Sequence, residues 1–168
     1  YNLGYAELER DHLDKATVAL KRALELAPDM SDAHRELGNA LLRGGHTADA
    51  MAAFRRSQEL KPADAATLQG MGLAAVRERR TDDAIRAFSR AVELVPADAD
   101  AHLALGRLYL DRGDYERATT SLREVLAQNT EHAEARALLS LIQEKQAKRG
   151  DAVSGRPDAG APVKSVEK

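Results

Sequence analysis

Five histidines, His12, His34, His46, His102 and His132, are the side chains of this 168-residue chain most suited to holding a metal or moving a proton. A zinc-type site needs three or four ligands within roughly 2.0–2.3 Å of one ion. His12 and His46 lie 34 residues apart and His34 and His102 lie 68 apart, a spacing that puts them on separate structural units and does not converge them. Asp98-Ala99-Asp100-Ala101-His102 is the nearest approach to a ligand cluster. Its carboxylates are better explained as helix-start residues favoured by the macrodipole. There is no cysteine, which excludes disulfides, thiolate metal sites and a thiol nucleophile. No Gly-rich phosphate loop, Gly-x-Ser-x-Gly elbow or His-Glu-x-x-His motif occurs. Gly70-Met71-Gly72 is a helical small-residue pair; the basic run Arg77-Glu78-Arg79-Arg80 reads either as a patch for phosphate or an acidic peptide or, the favoured reading, as a solvated helix end whose cations complement the C-terminal dipole. The expectation is a chain with no catalytic residue, no metal and no cofactor: not an enzyme.

What carries these residues is a repeat. Pro28, Pro62 and Pro96 are spaced by 34 residues, as are Gly4, Gly38, Gly72 and Gly106, and Ala16, Ala50, Ala84 and Ala118. Four places after each alanine stands a large apolar residue: Leu20, Phe54, Phe88 and Leu122. Such self-similarity marks a repeat architecture. Each unit reads as two helices. In the second unit, Ser31–Arg43 has helical apolar spacing with Ser31 as the expected N-cap, Gly44-Gly45 breaks it, and a second helix starts at His46 or Thr47 and stops before Pro62. The later units give Leu68–Arg79 then Asp82–Val95, and Ala101–Arg112 then Tyr115–Gln128. A glycine inside a helix costs about 1 kcal/mol relative to alanine. Its recurrence at one position therefore predicts a benefit: two helices that approach closely, with Leu20, Phe54, Phe88 and Leu122 filling the remaining space. Low aromatic content, 4% of residues, fits a thin core of that kind.

The pattern resembles the tetratricopeptide repeat: Leu37-Gly38, Ala50, Phe54 and Pro62, then Met71-Gly72, Ala84, Phe88, Ala91 and Pro96, then Leu105-Gly106, Tyr109 and Ala118. Ser57 stands where an alanine is usual, Thr130 replaces the terminal proline, and His34, Leu68 and His102 occupy the place of an early tryptophan. The resemblance implies an all-α, right-handed α-solenoid of stacked antiparallel helix pairs, about four units plus a capping helix. Residues 1–148 form the solenoid, with units 1–30, 31–64, 65–98 and 99–132 and a cap over 133–148. Ser140 holds the glycine position in that last helix, and Gln143, Glu144, Lys145, Gln146 and Lys148 supply the polar outer face that an end repeat needs. Residues 149–168, rich in Gly and Pro, are expected to be a disordered tail.

The resemblance also implies a concave groove lined by the first helices, at Arg35, Asn39, Leu42 and Arg43, then Gln69, Leu73, Val76 and Arg77, then Leu103, Arg107, Leu110 and Asp111. An apolar strip rimmed by guanidinium and amide groups suits a peptide, with arginine gripping carboxylates. The candidate peptide-binding residues are Arg35, Asn39, Gln69, Leu73, Arg77 and Arg107. Arg35 and Asn39 match the first pair of the carboxylate clamp that some of these domains place on chaperone tails. Gly70, Leu73, Asp100 and Ala104 stand where its further polar groups belong, so that ligand is disfavoured.

The expected function is a non-catalytic protein–protein interaction scaffold whose groove takes a peptide or partner domain. The alternative is a C-terminal docking or assembly appendix of a larger enzyme or cofactor-carrying protein, since Tyr1 falls inside a helix and an upstream part is expected. A third option is self-association through the edge of the first repeat. With 25 basic and 27 acidic residues the net charge is −2, and acid and base balance within units two and three. That is a poor basis for nucleic-acid binding, which needs clustered excess Lys and Arg. No apolar run reaches about 18 residues, so no membrane span is expected. Cytoplasm and periplasm remain equally open, and the bias toward Arg and Ala suggests a bacterial source.

Overall fold

The structure is a computed structural model that describes residues 1–154. The described residues form nine α-helices and no strand: α1 (Asn2–Glu9), α2 (Leu13–Leu26), α3 (Ser31–Arg43), α4 (Thr47–Leu60), α5 (Ala65–Arg77), α6 (Thr81–Leu94), α7 (Ala99–Asp111), α8 (Tyr115–Gln128) and α9 (Ala133–Ser154). They pair as antiparallel hairpins α1–α2, α3–α4, α5–α6 and α7–α8, each packed on the next, with α9 closing the array against α8 and α7. First helices of neighbouring units also meet, at α1–α3, α3–α5 and α7–α9. The stack is therefore tightest on that side and curves around it, which makes the first helices the concave face of an α-solenoid.

The predicted close approach is there in every unit. A Cβ built on Gly38 would lie 2.6 Å from the Phe54 ring, on Gly72 2.8 Å from Phe88, on Gly4 2.6 Å from Leu20, and on Gly106 2.7 Å from Leu122. Phe54 is held from both sides, because Gly70 of the next unit abuts the same ring. Ala16, Ala50, Ala84 and Ala118 are wholly buried, as are Leu20, Phe54 and Leu122. Full burial of each such large side chain stabilises by about 1.5–3 kcal/mol. Core packing runs without a break from Leu8 to Leu108, and Tyr109 bridges it to a second cluster around Leu122, Val125 and Ile142.

Turns between the helices of a unit repeat as closely as the core. The backbone N–H groups of His12, His46, Arg80 and Asp114 donate to the carbonyls of Glu7, Leu41, Ala75 and Tyr109, each at 2.9 Å. This is the six-to-one bond of a Schellman cap, which requires the preceding residue to be left-handed. That residue is Gly45 (φ 85°) or Gly113 (φ 77°) in two units, but Asp11 (φ 62°) and Arg79 (φ 58°) in the others.

Three local expectations change. Ser31 is the first residue of α3 rather than its N-cap, which is Met30; the Ser31 hydroxyl is instead turned toward Ser57 of α4, 3.2 Å from its hydroxyl. α5 starts at Ala65 and not Leu68, because Ala65, Ala66 and Thr67 continue the helix directly from Asp64. α9 runs to Ser154, six residues past the boundary at 148. Its Gln-Glu-Lys-Gln-Ala-Lys-Arg stretch consists of strong helix formers, and one Gly150 costs too little to stop them. The remainder of the expected tail, 155–168, lies outside the described residues.

Two substitutions test this account. Gly38→Ala gains about 1 kcal/mol of helix propensity but drives a methyl into a ring pinned between two glycines, so a net loss of roughly 1–2 kcal/mol is expected, read as a fall of a few degrees in the thermal midpoint. Arg79→Gly relieves an exposed left-handed residue and should stabilise by about 1 kcal/mol, raising the same midpoint.

Candidate functional site

Four of the five histidines make a side-chain bond within the fold. Nε2–H of His34 donates to the Pro28 carbonyl at 2.8 Å, and that of His102 to the equivalent Pro96 carbonyl at 3.0 Å. Each ring ties the start of a first helix to the bend that precedes it. His12 lies 2.6 Å from Glu7, and His132 Nδ1 accepts from the Ala135 N–H at 3.2 Å. Among the described residues no three His, Asp or Glu side chains gather around one point. Asp98 caps α7, accepting from the Ala101 N–H at 3.0 Å.

On the first helices the polar candidates join one unit to the next. Gln69 donates to Asp98, the N-cap of the following unit. Arg35 makes the equivalent reach, Nη1 to Asp64 Oδ2 at 3.2 Å. Arg43 reaches back, donating to the Leu8 carbonyl at 3.0 Å, and Arg77 repeats this 34 residues on with the Leu42 carbonyl. Both carbonyls lie in the last turn of the preceding first helix, where a cation also meets the negative end of its dipole. Arg107 Nε donates to Glu134 at 2.6 Å, binding unit four to α9.

Arg35 is the centre of the densest network. Its Nε and Nη2 donate to Glu36 Oε1 at 3.1 and 2.9 Å, and Nη1 also donates to Asp32 at 2.8 Å. Glu36 is buried, and its second oxygen accepts from Asn39 Nδ2 at 2.9 Å. From Asp64 the chain continues inward: the Thr67 hydroxyl donates to Asp64 at 2.5 Å, Ser57 lies 2.9 Å from Thr67, and Ser31 follows. Ser57 and Thr67 are fully buried, and buried hydroxyls are costly unless bonded to each other in this way. Burial alone would pull the Arg35 guanidinium down, but the bonds to Glu36 and Asp64 outweigh it and hold its pKa above normal. Burial likewise pushes the Asp64 carboxyl up, and the bonds from Thr67 and Arg35 overcome it, leaving Asp64 below the usual carboxylate range.

What the first helices leave open is a hollow of about 410 Å³ across α1, α3 and α5, whose lining includes Leu8, Leu42, Leu73, Val76, Asn39 and Arg77. Leu8 and Leu42 are buried and form the floor, while Leu73 (51% exposed) and Val76 (42%) stand open to solvent. Of the six candidates, Asn39, Leu73 and Arg77 border this hollow; Arg35, Gln69 and Arg107 do not. Val76, one turn from Leu73 and among the groove positions that the resemblance implies, borders the hollow as well.

Family models for the tetratricopeptide repeat match residues 1–65 and 75–148. The chain belongs to the tetratricopeptide repeat family. No curated protein matches the sequence. Among solved structures, the crystal structure of MamA shares 23% identity, with 92% of this chain and 90% of that one covered and a TM-score of 0.81. MamA from Desulfovibrio magneticus RS-1 gives 19%, 91%, 86% and 0.80. YrrB, described as a TPR protein with an unusual peptide-binding site, gives 21%, 94%, 85% and 0.76. At these identities the likeness is one of fold, and it covers nearly the whole repeat array.

The Asp64 network makes a pH prediction. A carboxyl depressed in the folded state contributes stability that is complete above its unfolded pKa near 4 and is lost as pH falls through the lower folded value. Asp64→Asn should cost about 1–2 kcal/mol at pH 7. Its difference from wild type should shrink steadily below about pH 4, as measured by urea titrations at several pH values.

Proposed function

We propose that this repeat array is a non-catalytic protein-interaction scaffold that takes a peptide in the hollow of its first helices. The observation that carries the reading is the contrast within that face. Arg35, Gln69, Arg43 and Arg77 are engaged in joining units, yet Leu73 and Val76 project from α5 about half-exposed to solvent. Two exposed apolar side chains over a buried Leu8–Leu42 floor suit one apolar side chain of an extended or helical segment. The Asn39 amide oxygen would accept from its main chain, and the N–H groups of Arg77 that the Leu42 carbonyl does not use would hold a carboxylate. Arg35, Gln69 and Arg107 contribute by fixing the curvature against which the peptide lies. The peptide-binding site described for YrrB supports the class of ligand.

Peptides selected from a random display library on the wild-type protein should lose at least tenfold in affinity to Leu73→Asp/Val76→Asp, measured by fluorescence anisotropy, with helical content unchanged. Selected peptides that bind the double variant as well as wild type would overturn the assignment.

A further inference from the structure

A second groove runs along the opposite side of α5. Its floor is Leu68, Met71 and Ala75, and its walls are α4 and α6, enclosing about 440 Å³. α5 thus presents Leu73, Val76 and Arg77 to the concave hollow and Leu68, Met71 and Ala75 to this groove. Arg55 enters it from α4, Arg80 from the α6 N-cap, and Arg86 and Arg90 from α6; Asp83 is the one carboxylate in the lining. Asp83 is already engaged by both Arg80 and Arg86. Arg90 has only a loose contact with Glu93 at 3.8 Å, on exposed side chains, and Arg55 has no ion-pair partner among the described residues.

The next groove along the same face is its counterpart in the repeat. Residues 34 places on from Gln58, Leu68, Met71 and Ala75 are Val92, His102, Leu105 and Tyr109, and all four line it. There the walls carry Asp114, Glu116 and Glu124 against one arginine, Arg117, which leans over the Tyr109 ring at 5.7 Å. The same backbone geometry therefore bears opposite charge in successive units. A continuous polyanion such as a nucleic acid or an anionic membrane surface would bridge from the basic groove onto the acidic one and be repelled there. A short segment that fills one groove would not.

We infer that the groove between α4 and α6 is a docking surface distinct from the concave hollow, and that it takes a short acidic peptide. One apolar side chain of that peptide seats on Leu68 and Met71, and flanking carboxylates pair with Arg55 and Arg90. Methionine at such a floor adapts to more than one side-chain shape, and the arginines select for carboxylates by bidentate bonding.

A fluorescein-labelled nonapeptide of glutamates around a central Leu-Leu pair tests this by anisotropy on the intact chain. The expected result is saturable binding that weakens at least tenfold in Arg55→Glu/Arg90→Glu and by a smaller factor in Arg55→Gln/Arg90→Gln. The Leu73→Asp/Val76→Asp variant, which disables the concave hollow, should bind it as wild type does. The same peptide with lysines for glutamates should bind wild type more weakly than the acidic one and gain affinity in Arg55→Glu/Arg90→Glu. Failure of the acidic peptide to bind overturns the proposal, as does weakening by the concave-face variant instead of the arginine variants. Tighter binding of a nine-nucleotide oligothymidylate to the same arginines would assign the surface to phosphate and also overturn it.

Discussion

Everything in this molecule depends on two helices coming closer than a Cβ would allow. At Gly4, Gly38, Gly72 and Gly106 the second helix of each unit places Leu20, Phe54, Phe88 or Leu122 against bare backbone. The glycine weakens its own helix by about 1 kcal/mol, and the large side chain opposite buries enough apolar surface to exceed that loss. The distance set there fixes the angle of the hairpin, and the hairpin angle fixes how the next unit stacks. Ser140 illustrates the rule by its exception. It holds the glycine place in α9, where among the described residues no second helix lies against it, and it is exposed, with its hydroxyl returned to the Arg136 carbonyl at 3.1 Å.

Apolar packing within a unit is non-directional, and stacking between units needs register. Polar ties supply it. The forward reach of Arg35 and Gln69 to the next N-cap, and the backward reach of Arg43 and Arg77 to the previous C-terminal carbonyl, lock neighbouring first helices against sliding. Surface ion pairs alone contribute little. Those between units two and three differ because the network continues inward through Thr67 to Ser57, where water cannot substitute for a lost partner. Ser57 in place of a usual alanine is thereby explained: it completes a hydroxyl chain that its counterpart Ala91 has no means to form.

The architecture was legible in the sequence because its causes are local and periodic: glycine, alanine, aromatic and proline each at a 34-residue step. Helix limits were less legible. Ser31 has the composition of a cap, but a buried hydroxyl partner in α4 drew it away, and no reading of neighbouring residues reveals a partner 26 positions distant. The concave candidates divided for a similar reason. Arg35, Gln69 and Arg107 look like ligand-binding groups when each unit is read alone. Their partners Asp64, Asp98 and Glu134 belong to the following unit, and only stacking brings them within bonding distance. Leu73 differs from them, since an apolar residue on a solvated face has no such internal claim on it.

Charge was the least legible property, and the reason bears on how a repeat protein acquires specificity. Acid and base balance within units two and three, yet the groove between α4 and α6 gathers four arginines against one aspartate, drawing on both units. The 34-residue period constrains only positions where neighbours touch: the glycines, the alanines, the knobs and the turns. Wall positions of the grooves face solvent, so nothing in the stacking fixes their charge, and one groove is basic where its counterpart is acidic. Regularity in such a chain therefore marks what holds it together. Positions that the packing leaves free to vary are where one unit can differ from the next, as at Leu73, whose counterparts are Tyr5, Asn39 and Arg107.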